Sequence, residues 1–164
     1  MKIRQGSLKD LKQIKVLAIS EWSQFKNVLT SKNWEILYNT LTDDKNYSEL
    51  LKLADCFVLE NEQNEIIAFT FLVPSGNPTD IYNSHQSYIR FLTVSHKYRG
   101  QNIGQTLTEK CIQKAKENSE KYIALHTSEM MNAARHIYEK LGFKRTKEIE
   151  PRLGKKYWIY QLKL

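Results

Sequence analysis

The sequence predicts an α/β (α+β) protein in which a mixed, mostly antiparallel central sheet is covered by helices. Three observations carry this expectation: amphipathic helical stretches open the chain, a strand, polar turn and strand follow from residue 56, and the second half alternates strand and helix. An antiparallel stretch followed by a strand–helix–strand crossover requires strands of both directions in one sheet. The 164 residues, 41% hydrophobic and 26% charged, suffice for one apolar core and are short for two, so a single domain over 1–164 is expected.

Ile3 and Arg4 begin a short strand, and Ser7 followed by Asp10 is a variant capping box that opens a helix. Leu8, Leu11, Ile14, Ala18, Trp22 and Phe25 recur at three- or four-residue steps, which predicts a helix over 8–21 with one apolar face. A second helical region over 33–54 offers Trp34, Leu37, Leu41, Leu50 and Leu51 to the core and should break over 42–46. From Cys56 the period changes: 56–60, a polar turn over 61–64, and 65–73 read as a β-hairpin. Pro74 to Pro78 form a loop, 87–94 a further strand, 103–118 a helix with Ile103, Leu107, Cys111, Ile112 and Ala115 inward, and 122–126 a strand. A helix over 132–140 stops at Gly142, placed as a helix C′ glycine, and 143–148 and 157–162 supply the last strands.

Charge is unevenly distributed. Residues 1–82 carry nine Lys plus Arg against eleven Asp plus Glu, whereas 83–164 carry sixteen against seven, so the second half should meet an anion. There is no zinc-finger spacing, no uninterrupted basic run and no RNA-recognition signature, which leaves a small polyanion as an alternative to nucleic acid. No apolar run approaches the roughly 20 residues that span a bilayer, and the N-terminus lacks the apolar stretch of a signal peptide, so a soluble cytoplasmic protein is expected. Cys56 and Cys111 lie far apart without metal-ligand spacing and read as buried thiols.

The most informative segment joins the strand ending at Val94 to the helix beginning near Ile103. A helix N-terminus presents unpaired backbone N–H groups and the positive end of the macrodipole, and so accepts phosphate. Gly100 and Gly104 permit close backbone approach, Asn102 tolerates positive φ, and Arg99 adds a guanidinium. Neither the lysine–serine or lysine–threonine pair of one common phosphate loop nor the three-glycine dinucleotide fingerprint is present.

Arg99-Gly100-Gln101-Asn102-Ile103-Gly104 resembles the signature loop of the GNAT superfamily of N-acyltransferases, in which Arg or Gln is followed after two residues by Gly, then one residue, then Gly or Ala. Ile89 to Val94 looks like the strand that enters that loop. Leu125 to Ser128 and then Met131, Ala134, Ile137, Tyr138 and Leu141 to Phe143 resemble the second motif of the family. The resemblance implies an N-acetyltransferase that moves an acetyl group from acetyl-coenzyme A to a primary amine by direct attack on the thioester, with no metal. It assigns the cofactor to Leu92, Thr93, Val94, Arg99, Gly100, Gln101, Asn102, Ile103, Gly104, Gln105 and Asn132. Pyrophosphate would rest on the N–H groups of 101–104, and the pantetheine arm would lie along Leu92 to Val94, where that strand splays from the one ending at His126. By the same carry-over, the backbone at Val94 would stabilise the developing oxyanion, and Tyr138 would point its hydroxyl at the coenzyme A sulfur as general acid.

The pattern is departed from at three positions: Asn102 replaces the first glycine, Met131 takes a slot often held by asparagine, and Tyr88 stands where many members carry a glutamate base. His126, His136 and Glu129 are candidates for the missing base, while His85 and the Lys155–Lys156 turn read as solvated. Trp22, Phe25, Trp34 and Tyr82 are core residues or walls of an acceptor pocket. The acceptor is expected to be a small-molecule or peptide amine, with neither nucleic acid nor membrane as partner, and a homodimer is compatible with the sequence. Two other functions stay open at this point: a basic nucleic-acid-binding module and a non-catalytic acetyl-coenzyme A sensor.

Overall fold

A computed structural model describes residues 1–164. Seven strands, β1 (Lys2–Gln5), β2 (Asp55–Glu60), β3 (Ile66–Val73), β4 (Ser87–Val94), β5 (Tyr122–Ser128), β6 (Lys144–Arg152) and β7 (Lys155–Lys163), form one sheet in the order β1-β2-β3-β4-β5-β7-β6. Every neighbouring pair is antiparallel except β4 with β5. The helices are α1 (Leu11–Trp22), α2 (Ser31–Thr42), α3 (Asp44–Leu53), α4 (Ile103–Glu117) and α5 (Asn132–Lys140). None is long and apolar enough to cross a membrane.

The strands β2 and β3 are buried on both faces of the sheet, which explains why they read as continuous apolar runs. Successive residues serve opposite cores. Cys56 and Val58 pack with Ile14, Ala18, Leu37, Leu41, Tyr47 and Leu50 from α1, α2 and α3, whereas Phe57 and Leu59 pack in the core that receives Leu107, Cys111 and Ala115 from α4 and Tyr138 from α5. Both cysteines are free and buried, and burial pushes the Cys56 thiol up to about 12.

Several boundaries differ from the sequence expectation for local reasons. The first turn of the predicted 8–21 helix, Leu8–Asp10, is a 3-10 turn, and the Asp10 carboxylate accepts the Ser7 N–H at 2.7 Å. The Thr30 hydroxyl accepts the Asn33 N–H at 3.2 Å, so α2 starts at Ser31 rather than 33. The expected break over 42–46 narrows to Asp43, whose extended backbone and side chain cap α3, the carboxylate accepting the Lys45 N–H at 2.9 Å. The last two strands are longer than the apolar pattern indicates. The β6 strand is exposed except at the buried Ile149 and the partly buried Arg152, and lysine, arginine and proline on an outer edge give no hydrophobic alternation. Leu153 and Gly154, both at positive φ, close its hairpin with β7.

At Gly142 the expectation is met in detail. Its φ is +90°, its N–H donates to the Glu139 carbonyl, and the Phe143 N–H donates to the Tyr138 carbonyl at 3.0 Å, a Schellman arrangement with the Tyr138 and Phe143 rings 5.9 Å apart. This end cap fixes Tyr138 against the sheet.

The N-terminal strand is held by a tight approach. The Gly6 N–H donates to the Cys56 carbonyl at 2.8 Å, and a Cβ at Gly6 would lie 2.5 Å from the Cys56 Sγ and 3.1 Å from its Cβ. Gly6→Ala should therefore destabilise the protein by about 1–3 kcal/mol through overpacking. Cys56→Ala in the same chain should recover part of that loss, a non-additivity read from a double-mutant cycle in urea. An unchanged urea midpoint in Gly6→Ala would show that the strand shifts without cost.

Candidate functional site

The site is built where β4 leaves β5. The parallel pairing covers only Ser87 with Ile123 and Tyr88 with Ala124, after which the strands part. On its other side β4 carries a bulge: Phe71 faces Arg90 and Phe69 faces Thr93, so Phe91 and Leu92 share one partner position, and Phe91 has φ +55°. Phe91 consequently packs with the core under α1 to α3, while Leu92 and Val94 pack with the core under α4 and α5. The Ser95 N–H donates to the Ile67 carbonyl at 2.8 Å. By the alternation of an antiparallel ladder, Val94 then turns its own N–H and C=O away from β3, towards the open gap.

Beyond Ser95 the chain makes a 3-10 turn, His96–Tyr98, then passes Gly100 at φ +79° and Asn102 at φ +57° into α4. The first N–H paired in the helix belongs to Thr106, which donates to the Asn102 carbonyl at 2.9 Å. The N–H groups of Gly100, Gln101, Asn102, Ile103, Gly104 and Gln105 donate to no protein acceptor. Asn102 adopts the left-handed conformation that glycine commonly supplies, which accounts physically for an asparagine there. Gly104 is needed for packing as well as for approach, since a Cβ there would lie 3.2 Å from Ile137 Cδ1 of α5.

Glu21 of α1 is buried beneath this loop. Its Oε2 accepts the His96 N–H at 2.9 Å and an Arg99 guanidinium N–H at 3.4 Å, and its Oε1 lies 2.9 Å from His96 Nδ1. Arg99 is thus partnered by a carboxylate inside the protein and half-exposed, instead of standing as a free charge.

Two cavities lie on either side of the gap. The larger, about 730 Å³, is lined by Leu92, Thr93, Val94, Arg99, Gly100, Asn102, Ile103, Gly104 and Asn132 among the residues singled out from sequence, together with Glu21, Phe25 and His136. Gln101 and Gln105 are not in its wall, and the Gln105 side chain bonds Glu109 and Lys140 instead. The Asn132 side-chain oxygen is taken by Arg135, and the Thr93 hydroxyl accepts the Trp22 indole N–H at 3.1 Å. The second cavity, about 420 Å³, is lined by Arg90, Phe91, His126, Tyr138, Arg152 and Tyr157 among others. Trp22, Leu92, Met131 and Ala134 belong to both walls, so the cavities meet there.

Tyr138 is buried, and its hydroxyl has no protein hydrogen-bond partner; desolvation raises its pKa above the ordinary phenol value. His126 Nδ1 lies 2.7 Å from the Tyr82 hydroxyl, and burial, reinforced by Arg90 and Arg152, lowers its pKa to about 3. His126 is therefore uncharged near neutrality. Tyr88 stacks on Tyr82 at 4.1 Å and donates its hydroxyl to the Asn77 carbonyl at 3.2 Å, outside both cavities. Glu129 accepts the Lys156 N–H at 3.0 Å and also lies outside them.

The model of the Acetyltransferase (GNAT) family matches residues 17–143. The chain belongs to the GNAT acetyltransferase family. Over 122 residues it is 26% identical to N-acetyltransferase 8B of Homo sapiens, an alignment that covers 72% of this chain and 53% of that protein. The chain spans about half, or less, of the length of the curated relatives it matches. The GNAT fold extends over the whole chain. The crystal structure of a ribosomal-protein-alanine N-acetyltransferase from Brucella melitensis superposes with a TM-score of 0.75 at 20% identity, covering 100% of both chains. That of the PaiA N-acetyltransferase from Thermoplasma acidophilum in complex with coenzyme A gives 0.79 at 16% identity, covering 99% of this chain and 98% of the other.

In this GNAT chain the residue pattern alone does not single out Glu21, Arg90, Arg152 or the Tyr82–His126 pair. One signal was available for Glu21: it falls seven residues after Ile14 and three after Ala18, on the buried face of α1, where a carboxylate demands partners. The other groups come together only across the sheet.

The folded pKa of His126 lies below its ordinary value of 6.5, so the unfolded chain binds a proton that the folded one refuses. The associated stability is present above pH 6.5 and is lost as pH falls towards about 3. The loss should approach about 1.4 kcal/mol per pH unit within that window. His126→Gln should flatten urea-derived stability against pH by a comparable slope. Parallel curves for the two proteins would mean that His126 takes up its proton in the folded state as readily as in the unfolded one.

Proposed function

We propose that the protein is an acetyl-coenzyme A-dependent N-acetyltransferase, with the cofactor in the larger cavity and the amine acceptor in the second. The observation that carries this reading is the run of six unpaired N–H groups from Gly100 to Gln105, four of whose residues, Gly100, Asn102, Ile103 and Gly104, line a cavity that meets a second one lined by Tyr138. Six donors at the positive end of a fifteen-residue helix suit a pyrophosphate. The outward-turned backbone of Val94 suits the amide groups of a pantetheine arm, and the apolar side chains of Leu92, Ile103 and Ile137 suit its methylenes. The donors, the absence of a side chain at Gly104 and the apolar wall fit the cofactor. Glu21 fixes the loop from below by tying His96 and Arg99 to α1.

Acetyl-coenzyme A supplies, when bound, an acyl group activated as a thioester. The Val94 N–H stands in the gap as a donor for a developing negative charge. Tyr138, held by its burial and the Gly142 cap, keeps its proton at and well above neutral pH and can release it to a departing thiolate. No carboxylate lines the second cavity, and His126 is too weak a base to take the ammonium proton there. The positive field of Arg90 and Arg152 lowers the pKa of an amine that enters the second cavity, so the amine reaches the junction after losing its proton to solvent.

Acetyl-coenzyme A should stabilise the protein by about 2.7 kcal/mol at 100 times its dissociation constant, whereas adenosine at the same concentration should add far less. A thermal scan that shows no shift at saturating acetyl-coenzyme A would remove the cofactor from this cavity. Tyr138→Phe should leave that stabilisation intact and slow single-turnover acetyl transfer by about 10²- to 10⁴-fold. The wild-type rate should rise between pH 7 and 9 as the amine deprotonates and should not fall by pH 10, because the phenol stays protonated. A Tyr138→Phe protein that transfers acetyl at the wild-type single-turnover rate would reduce Tyr138 to a packing residue.

A further inference from the structure

We propose that the acceptor is an amine that also carries a carboxylate, and that Arg90 selects it by pairing with that carboxylate in the second cavity. This rests on the acetyl-transfer reading, since it names the second substrate of that reaction.

The argument begins with an unbalanced charge. The second cavity is mostly apolar, yet two guanidiniums line it and no carboxylate does. Arg152 is paired with Asp80, whereas the Arg90 guanidinium makes no ion pair and no hydrogen bond to any protein group. The Arg90 head group lies over the face of the Phe91 ring, 5.2 Å from its centroid. A half-buried guanidinium with five donors and no protein acceptor offers them to whatever enters the cavity, and a carboxylate matches two of those donors in parallel. The polar groups around it cannot serve. His126 is neutral and already bonded to Tyr82, and Tyr82, Tyr88 and Tyr157 are phenols that burial keeps protonated.

Position adds proximity. Arg90 precedes the bulge, which directs it and Phe91 to the same face, and it lines the same cavity as Tyr138 and as Leu92, where the cavities meet. A carboxylate on Arg90 leaves an amine two or more bonds away to reach towards the junction. The remaining wall, with Ile36, Leu37, Leu153 and Tyr157, suits an apolar body. The chemistry is that of a free amino acid or a short ω-amino acid; in a peptide the α-carboxylate next to the amine is replaced by a neutral amide.

The test uses the whole chain saturated with coenzyme A and titrated calorimetrically with L-leucine, L-phenylalanine and γ-aminobutyrate and with the carboxamide of each. Thiol release from acetyl-coenzyme A is followed with the same six amines. At least one acid should bind tenfold or more tightly than its carboxamide. Arg90→Gln should abolish that preference without weakening the carboxamide, and Arg90→Lys, which keeps the charge but not the fork, should restore part of it. In turnover the Arg90→Gln defect should fall on KM for the acid more than on kcat. Equal binding of acid and carboxamide, a preference that survives Arg90→Gln, or no binding of any acid would each overturn the proposal. The two readings fail separately. An acid that binds through Arg90 without releasing thiol sustains the selectivity and refutes acetyl transfer, whereas carboxamides acetylated as well as the acids sustain transfer and refute the selectivity.

Discussion

When two parallel strands exchange only two residue pairs and then diverge, the backbone beyond the last pair must find other partners or face a cavity. In this protein β4 and β5 part after Tyr88 and Ala124, and the bulge at Phe91 bends β4 as it goes. The two cavities, the outward-turned backbone of Val94, the placement of Arg90 and the exposure of Tyr138 to a cavity from within a core all depend on that divergence. Had the ladder continued, the Val94 groups would have been consumed by β5 and the two cavities would have had no gap to meet in.

The anion loop is held by a different balance. Burying Glu21 costs desolvation, which its bonds to the His96 backbone, the His96 ring and Arg99 offset. Because Glu21 already compensates Arg99, the attraction for an anion at the loop rests chiefly on the six N–H groups, whose direction is set by the backbone and needs no reorganisation on binding. The uneven charge of the two halves of the chain acts at longer range, through a field that salt screens.

In the second cavity the same low-polarity surroundings act in opposite senses on different groups. They keep Tyr138 and Tyr157 protonated, strip His126 of its charge and leave Arg90, which cannot lose its own, as a cation without a counter-ion. A wall of that kind disfavours an ammonium and favours an anion, so a substrate containing both groups would be oriented with the nitrogen away from Arg90.

Most of the element order is legible in the residues alone, because periodicity is a local property: the bounds of β4 and α5, the Gly142 cap and the positive-φ turn into α4 all follow from residues within a few positions of one another. The residues also mark the loop from Arg99 to Gly104 and, through their resemblance to GNAT proteins, Tyr138. The single-residue break at Asp43 and the full length of β6 were less legible, since the first depends on a side-chain cap and the second is a polar edge strand without alternation. Packing across the sheet, and nothing local, puts Glu21 under a loop seventy-five residues away, gives Arg99 a partner and leaves the Arg90 guanidinium without one. Whether a charge is satisfied depends on which strands adjoin and where they part, and no local pattern in a chain records what is absent across a sheet.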